Sequence, residues 1–178
     1  MASEVRNLGG RGNRWRIAGW ALAISALLLP FMAMQFTREV NWTGSDFIFA
    51  AVMIGGVGLL FELTVRMSDN GFYRTGIALA LAASFLTIWA NGAVGMIGDE
   101  GNPLNLMFFG VIAIALLGSA LGGFRARGMA IAMSIAAVAQ VVAGSIGIAT
   151  DPLGGIFSVM FAVAWLGSAA MFRKAQRG

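Results

Sequence analysis

Six stretches of this chain are apolar over roughly the length of a bilayer crossing, and short polar segments separate them. At 1.5 Å of rise per residue, about 20 apolar residues cover the ~30 Å hydrocarbon core. The runs are 17–36, 47–65, 73–97, 104–124, 128–148 and 153–172. Only 11% of the 178 residues are charged, against about a quarter in soluble domains, too few to clothe a water-facing surface. The expected fold class is therefore all-α: a polytopic membrane helical bundle of six transmembrane helices. Residues 17–172 form its single domain, and residues 1–16 and 173–178 are short tails.

The turns at one end carry matching punctuation. Asn102 precedes Pro103 and Asp151 precedes Pro152, each a capping acceptor followed by a proline suited to the first helical position. Thr43, Ser45 or Asp46 can cap the second span, with Trp42 at headgroup depth beside it. Basic residues set the orientation, because they are retained on the cytoplasmic side. Eleven lie at one end, namely Arg6, Arg11, Arg14, Arg16, Arg66, Arg74, Arg125, Arg127, Arg173, Lys174 and Arg177, and only Arg38 lies at the other. Both termini are thus expected in the cytoplasm. The pI of about 11.1 does not imply nucleic acid, since the bases sit in small helix-end groups rather than a basic run. The first apolar run exceeds the 7–15 residues typical of a signal-peptide core and no clear cleavage site follows it, so it reads as an uncleaved anchor. Asn41-Trp42-Thr43 matches a glycosylation pattern but lies too near two spans to be used.

Histidine and cysteine are both absent. That removes zinc sites, His-ligated haem, iron–sulfur clusters and thiol catalysis from the functions expected. No P-loop or dinucleotide fingerprint is present either, because the glycines lie within apolar helices. We therefore expect no enzyme, no cofactor and no metal.

A shift of 49 residues places Gly95-Met96-Ile97-Gly98 on Gly144-Ser145-Ile146-Gly147 and Asn102-Pro103-Leu104 on Asp151-Pro152-Leu153. The register continues without a gap to Leu117-Gly118-Ser119-Ala120 on Leu166-Gly167-Ser168-Ala169. This predicts repeated two-helix hairpins, 72–124 and 127–172, with 17–66 as a further hairpin lacking a convincing residue match. Two spans return the chain to its starting side, so the copies are parallel, unlike the inverted repeats of many transporters.

Few groups within the spans bear chemistry. Glu62 is the one carboxylate there; it reads as a proton or cation site, or, preferably, as the i,i+4 partner of Arg66 near a helix end. Asn91 and Gln140 occupy equivalent repeat positions and serve either a solute or, preferably, helix association through each other or a backbone carbonyl. The small-residue series Gly55-Gly56-Val57-Gly58, Gly118-x3-Gly122, Ser119-x3-Gly123 and Ala139-x3-Ala143-x3-Gly147 is read first as close helix contact within the bundle and second as subunit association. Asp99 and Glu100 are the acids without a structural assignment, where an outer partner or ion would bind. Arg66, Arg74, Arg125, Arg127, Arg173 and Lys174 are placed to meet anionic lipid headgroups.

The segments Glu39-Val40-Asn41-Trp42-Thr43 with Asp46-Phe47, Gly98-Asp99-Glu100-Gly101-Asn102-Pro103-Leu104-Asn105-Leu106-Met107 and Phe124-Arg125-Ala126-Arg127-Gly128-Met129 resemble those of a group of small, uncharacterised bacterial inner-membrane proteins without assigned activity. The resemblance spans roughly residues 39–130 and implies a bacterial inner-membrane location, with no catalytic or binding residues. Two functions stay open: a structural or accessory module of a membrane complex, or of a self-associated assembly, and a small-solute or ion transporter or channel using Glu62, Asn91 and Gln140. The first is preferred, because a transporter needs several convergent polar groups.

Overall fold

The computed structural model describes the backbone of residues 2–177 and the side chains of residues 17–177 apart from 65 and 67. Arg6, Arg11, Arg14 and Arg16, which carry part of the orientation argument, lie outside the described side chains. The described residues form seven α-helices and no strand: α1 (Ala2–Phe36), α2 (Gly44–Met67), α3 (Gly71–Ala93), α4 (Leu106–Leu121), α5 (Ala126–Ile148), α6 (Pro152–Met160) and α7 (Ala162–Ala175). Among the described residues, six stretches are long and apolar enough to cross a membrane, with α6 and α7 together supplying the last, Pro152–Ala175.

The helices sort into two units, Met1–Glu62 and Leu63–Gly178. In the first, the Trp20 ring occupies the space beside Gly58, where an added Cβ would lie 3.2 Å from it, and Phe31 meets Phe47 edge to face at 6.4 Å. The start of α2 is fixed by Asp46, whose carboxylate accepts from the Thr43 amide and hydroxyl, each at 2.7 Å. This is the reaching-back half of a capping box. Trp42 folds edge-on against Phe47 at 5.2 Å.

In the second unit α5 is central, packing along α4, α6 and α7, while α3 packs chiefly along α7. Its core joins Tyr73, Ile77 and Ala83 of α3, Val111 and Ala115 of α4, Met129 to Ala137 of α5, and Trp165, Ala169 and Phe172 of α7. Small residues bring the helices together as expected. A Cβ on Gly118 would lie 2.8 Å from that of Ala132, and one on Gly122 would lie 2.6 Å from the Gly128 Cα. At the other end of α5, a Cβ on Gly144 would stand 2.9 Å from the Gly155 carbonyl oxygen, so α5 and α6 touch backbone to backbone.

Two span boundaries differ from the sequence reading. The third span was expected to run to Ile97, but α3 ends at Ala93 and residues 94–102 form a folded loop. Gly95 and Gly98 take φ of +75° and +68°, the left-handed region that ends a helix and is open to glycine at little cost. The sixth span is broken at Phe161. The two expected hairpins also differ in form: α5 lies along both α6 and α7, whereas α3 touches α4 only slightly. Gly95–Gly98 is loop while its 49-residue counterpart, Gly144–Gly147, is helix.

Candidate functional site

The loop after α3 is the most elaborately held segment of the second unit. Asn105, just before α4, is buried, and its side-chain oxygen accepts from the Met96 and Ile97 amides at 3.1 and 2.9 Å. Its amide group donates to the Ile97 and Asp99 carbonyls at 3.3 and 2.7 Å. One side chain thus satisfies four backbone groups that α3 releases by ending early. Ile97, 0% exposed, is driven against Gly147, leaving no room there for a Cβ.

The caps read from sequence are present, and one does more than cap. Leu104 N–H donates to Asn102 Oδ1 at 3.0 Å, and Gly154 N–H to Asp151 Oδ1 at 3.0 Å. The second Asp151 oxygen accepts from Gly98 N–H at 2.8 Å, tying the start of α6 to the loop after α3. These two amides, Gly98 first, hold the Asp151 carboxyl below its ordinary value.

Deeper in, Gln140 is fully buried and donates from its amide to the Ser158 carbonyl at 2.9 Å. The Ser158 hydroxyl lies 3.3 Å from the Met96 carbonyl and 2.7 Å from that of Gly154. The Ser158 carbonyl is also where the α6 ladder falters, receiving Phe161 N–H at 3.2 Å in a tightened turn. A side-chain donor inserted at that carbonyl is a recognised cause of a helix break. Gln140 therefore joins helices through a backbone carbonyl, one of the two forms of association expected of it. Asn91 does not meet it.

Ala83, Thr87 and Asn91 follow at i, i+4 and i+8 along the inward face of α3, and all are buried. Thr87 Oγ1, both polar atoms of Asn91, Gln140 Oε1 and Trp165 Nε1 are buried with no hydrogen-bond partner in the chain. Thr87, Trp165, Asn105 and Ser158 escaped the sequence reading. Asn105 was signalled by an asparagine just past a Pro-started turn, whereas a lone threonine or tryptophan in an apolar run carries no signal.

Glu62 sits in the first unit near the end of the apolar window Gly44–Thr64, where its carboxylate receives the Trp20 indole N–H at 3.4 Å. Asp99 and Glu100 are exposed. Asp99 accepts from Gly101 N–H at 3.0 Å, so it shapes its own loop. The basic residues divide in role. Arg74 braces the turn before α3, donating to the Ser68 carbonyl at 2.7 Å and pairing with Asp69 at 3.0 Å. Lys174 stands 5.7 Å over the Phe72 ring, Arg125 occupies the N-cap of α5, and Arg66 is exposed on α2. Arg127 and Arg173 line one groove together with Ser134. Among the described residues no group of three or more acidic side chains is placed to hold a metal ion.

Comparison of the chain with protein-family models, with curated proteins and with solved structures returns no match.

Proposed function

We propose that this chain is a non-catalytic structural or accessory module of a bacterial inner-membrane complex, with both termini in the cytoplasm. The observation that carries the proposal is where the polar side chains go. Gln140, Asn105 and Ser168 spend donors on backbone carbonyls of other segments, which stitches the second unit to itself. A bundle bonded in this way supplies a stiff apolar body. The 49-residue register we read as a duplicated hairpin whose copies have diverged, supported by the matched Asn102 and Asp151 caps.

The test is purification of the full chain in mild detergent, with reciprocal tagging of each membrane protein that accompanies it. A partner recovered at fixed ratio from both tags is the expected result. A chain that elutes without such a partner and conducts a solute in reconstituted vesicles would overturn the proposal.

One observation favours the second reading, a small polar-solute or ion pathway. Five buried polar atoms of Thr87, Asn91, Gln140 and Trp165 lack partners in the chain, and within an apolar medium such groups require a hydrogen-bonding companion. Water or a small polar solute is the class that fits. On this reading, Asn91→Leu with Thr87→Val lowers the flux while the fold persists.

A further inference from the structure

An open groove of about 510 Å³ runs along the outside of α5 and is closed on one flank by the end of α7. Arg127, Ile131, Ser134, Ile135 and Val138 line it from α5 and Arg173 from α7. Their spacing of four, three, one and three residues keeps the α5 set on one helix face. Arg127 stands at one end, Arg173 reaches in at Ser134 about two turns along, and Ile131, Ile135 and Val138 lie beside and beyond them toward the middle of the span. The groove's apolar floor, from Ile131 to Val138, is about 10 Å long at the helical rise, the reach of the upper part of an acyl chain within one leaflet.

The arginines are held for use. Arg173 Nη2 donates to Ser134 Oγ at 2.9 Å, and Ser134 passes its own proton to the Ala130 carbonyl at 2.7 Å. That draws the Arg173 guanidinium across onto α5, with most of its five donors still unspent. Among the described residues no carboxylate pairs with Arg127 or Arg173. Both side chains are exposed. Arg127 lies in the first turn of α5, whose N-cap Arg125 provides no side-chain hydrogen bond, so the positive end of that helix adds to the field.

We infer that this groove binds one anionic phospholipid, its phosphodiester between Arg127 and Arg173 and one acyl chain along Ile131, Ile135 and Val138. Two guanidiniums without a carboxylate call for an anion with several acceptor oxygens. The apolar floor of Ile131, Ile135 and Val138 beside them gives an acyl chain a surface that a free phosphate would leave unused, and so selects a lipid. A bulk interaction with basic flanks would spread over all the basic residues of this end, whereas this site depends on two of them.

The experiment is native mass spectrometry of the full chain, titrated in detergent with phosphatidylglycerol or phosphatidylcholine. The wild type should retain one phosphatidylglycerol in preference to phosphatidylcholine. Arg127→Gln with Arg173→Gln should weaken that retention by about tenfold or more, two charge-assisted contacts being lost. Arg38→Gln, remote in sequence and exposed on the loop after α1, should leave it unchanged. Ile135→Trp, which fills the groove without touching charge, should weaken it as well, and so covers the case in which the double variant does not fold. Equal retention by wild type and both groove variants would overturn the site. Displacement of the lipid by equimolar soluble glycerophosphoglycerol would overturn the lipid in favour of a free phosphodiester.

Discussion

Asn105 and Gln140 are both buried amides, and they differ in what depends on them. Removing Asn105 orphans the Met96 and Ile97 amides, which are buried where no other segment supplies an acceptor to them. Each stranded buried group costs about 1–3 kcal/mol, so with two of them Asn105→Ala should lose about 2–6 kcal/mol of stability. Removing Gln140 frees one carbonyl that Phe161 N–H already serves and also deletes an unpartnered oxygen. Gln140→Leu should therefore change stability by under about 1 kcal/mol, in line with the ~0.6 kcal/mol typical of interhelical bonds in membranes. Unfolding in mixed detergent measures both, and a Gln140→Leu loss equal to that of Asn105→Ala would contradict the ranking. Asp151 adds a pH dependence. Its folded carboxyl is held below the ordinary value by the Gly98 and Gly154 amides. The linked stabilisation is complete above the unfolded value of about 3.9 and disappears as pH falls through the lower folded value. The gap in melting temperature between wild type and Asp151→Asn should thus be constant near neutrality and narrow below about pH 4. A gap that does not change with pH would show the two amides to be irrelevant. Asp151 was legible as a cap from Asp-Pro alone. Its second bond, to Gly98 53 residues away, was not, because a spacing rule sees neighbours along a helix and cannot see a returning loop.

At the scale of elements, length and apolarity located every span, and errors lie where a polar residue reorganises the backbone. Nothing apolar marks the end of α3; the turn is set by Gly95 and Gly98 at positive φ and by Asn105, which replaces the lost helical bonds. The sixth span looks continuous over 153–172 because Phe161 is apolar, yet the Ser158 carbonyl one turn earlier is engaged by Gln140 from another helix. Local pattern carries no trace of such a tertiary bond. The small-residue series was legible as close contact, though not in its details: Gly118 and Gly122 meet α5, whereas Gly147 faces the loop residue Ile97. These differences predict unequal responses to one added methyl. A Cβ at Gly144 meets Val159 Cγ2 at 2.8 Å and the Gly155 carbonyl at 2.9 Å. Backbone cannot swing aside, so Gly144→Ala should cost about 1–3 kcal/mol, the usual range for overfilled interiors. Gly55 has nothing within 4 Å of an added Cβ, and Gly55→Ala should be neutral or stabilising by up to about 1 kcal/mol through helix preference. Thermal unfolding of the two variants distinguishes them, and equal melting temperatures would refute the close α5–α6 contact.

At the scale of the whole molecule the controlling quantity is charge asymmetry. Within the second unit the described helices start and stop at two kinds of end. Arg125, Arg127, Arg173, Lys174 and Arg177 collect at one, with the turn before α3, and Asp99, Glu100 and Asp151 at the other. Capping explains Asp151, and Asp99 shapes its loop, but neither accounts for the absence of lysine and arginine from residues 75–124 and 128–172. Insertion bias does, since short loops rich in Lys and Arg resist translocation while acidic ones cross readily. Six spans return the chain to its starting side, so the proposed topology puts residue 178 in the cytoplasm and the loop 99–102 on the opposite face. Phosphatase and fluorescent-protein reporters fused after Gly178 and inserted between Glu100 and Gly101 should therefore give opposite signals. The same compartment for both would remove the even span count. Opposite compartments with residue 178 outside would keep the six helices and overturn the orientation. In that case the groove formed by Arg127 and Arg173 would face the other leaflet, and phosphatidylglycerol supplied to the cytoplasmic leaflet alone would not reach it. A charge transplant completes the argument. Four lysines placed at 99–102 together with Arg125→Gln, Arg127→Gln, Arg173→Gln and Lys174→Gln should shift a measurable fraction of chains to the inverted or a frustrated topology if charge is the determinant. An unchanged reporter pattern in that variant would move the cause of orientation away from charge and onto the first span.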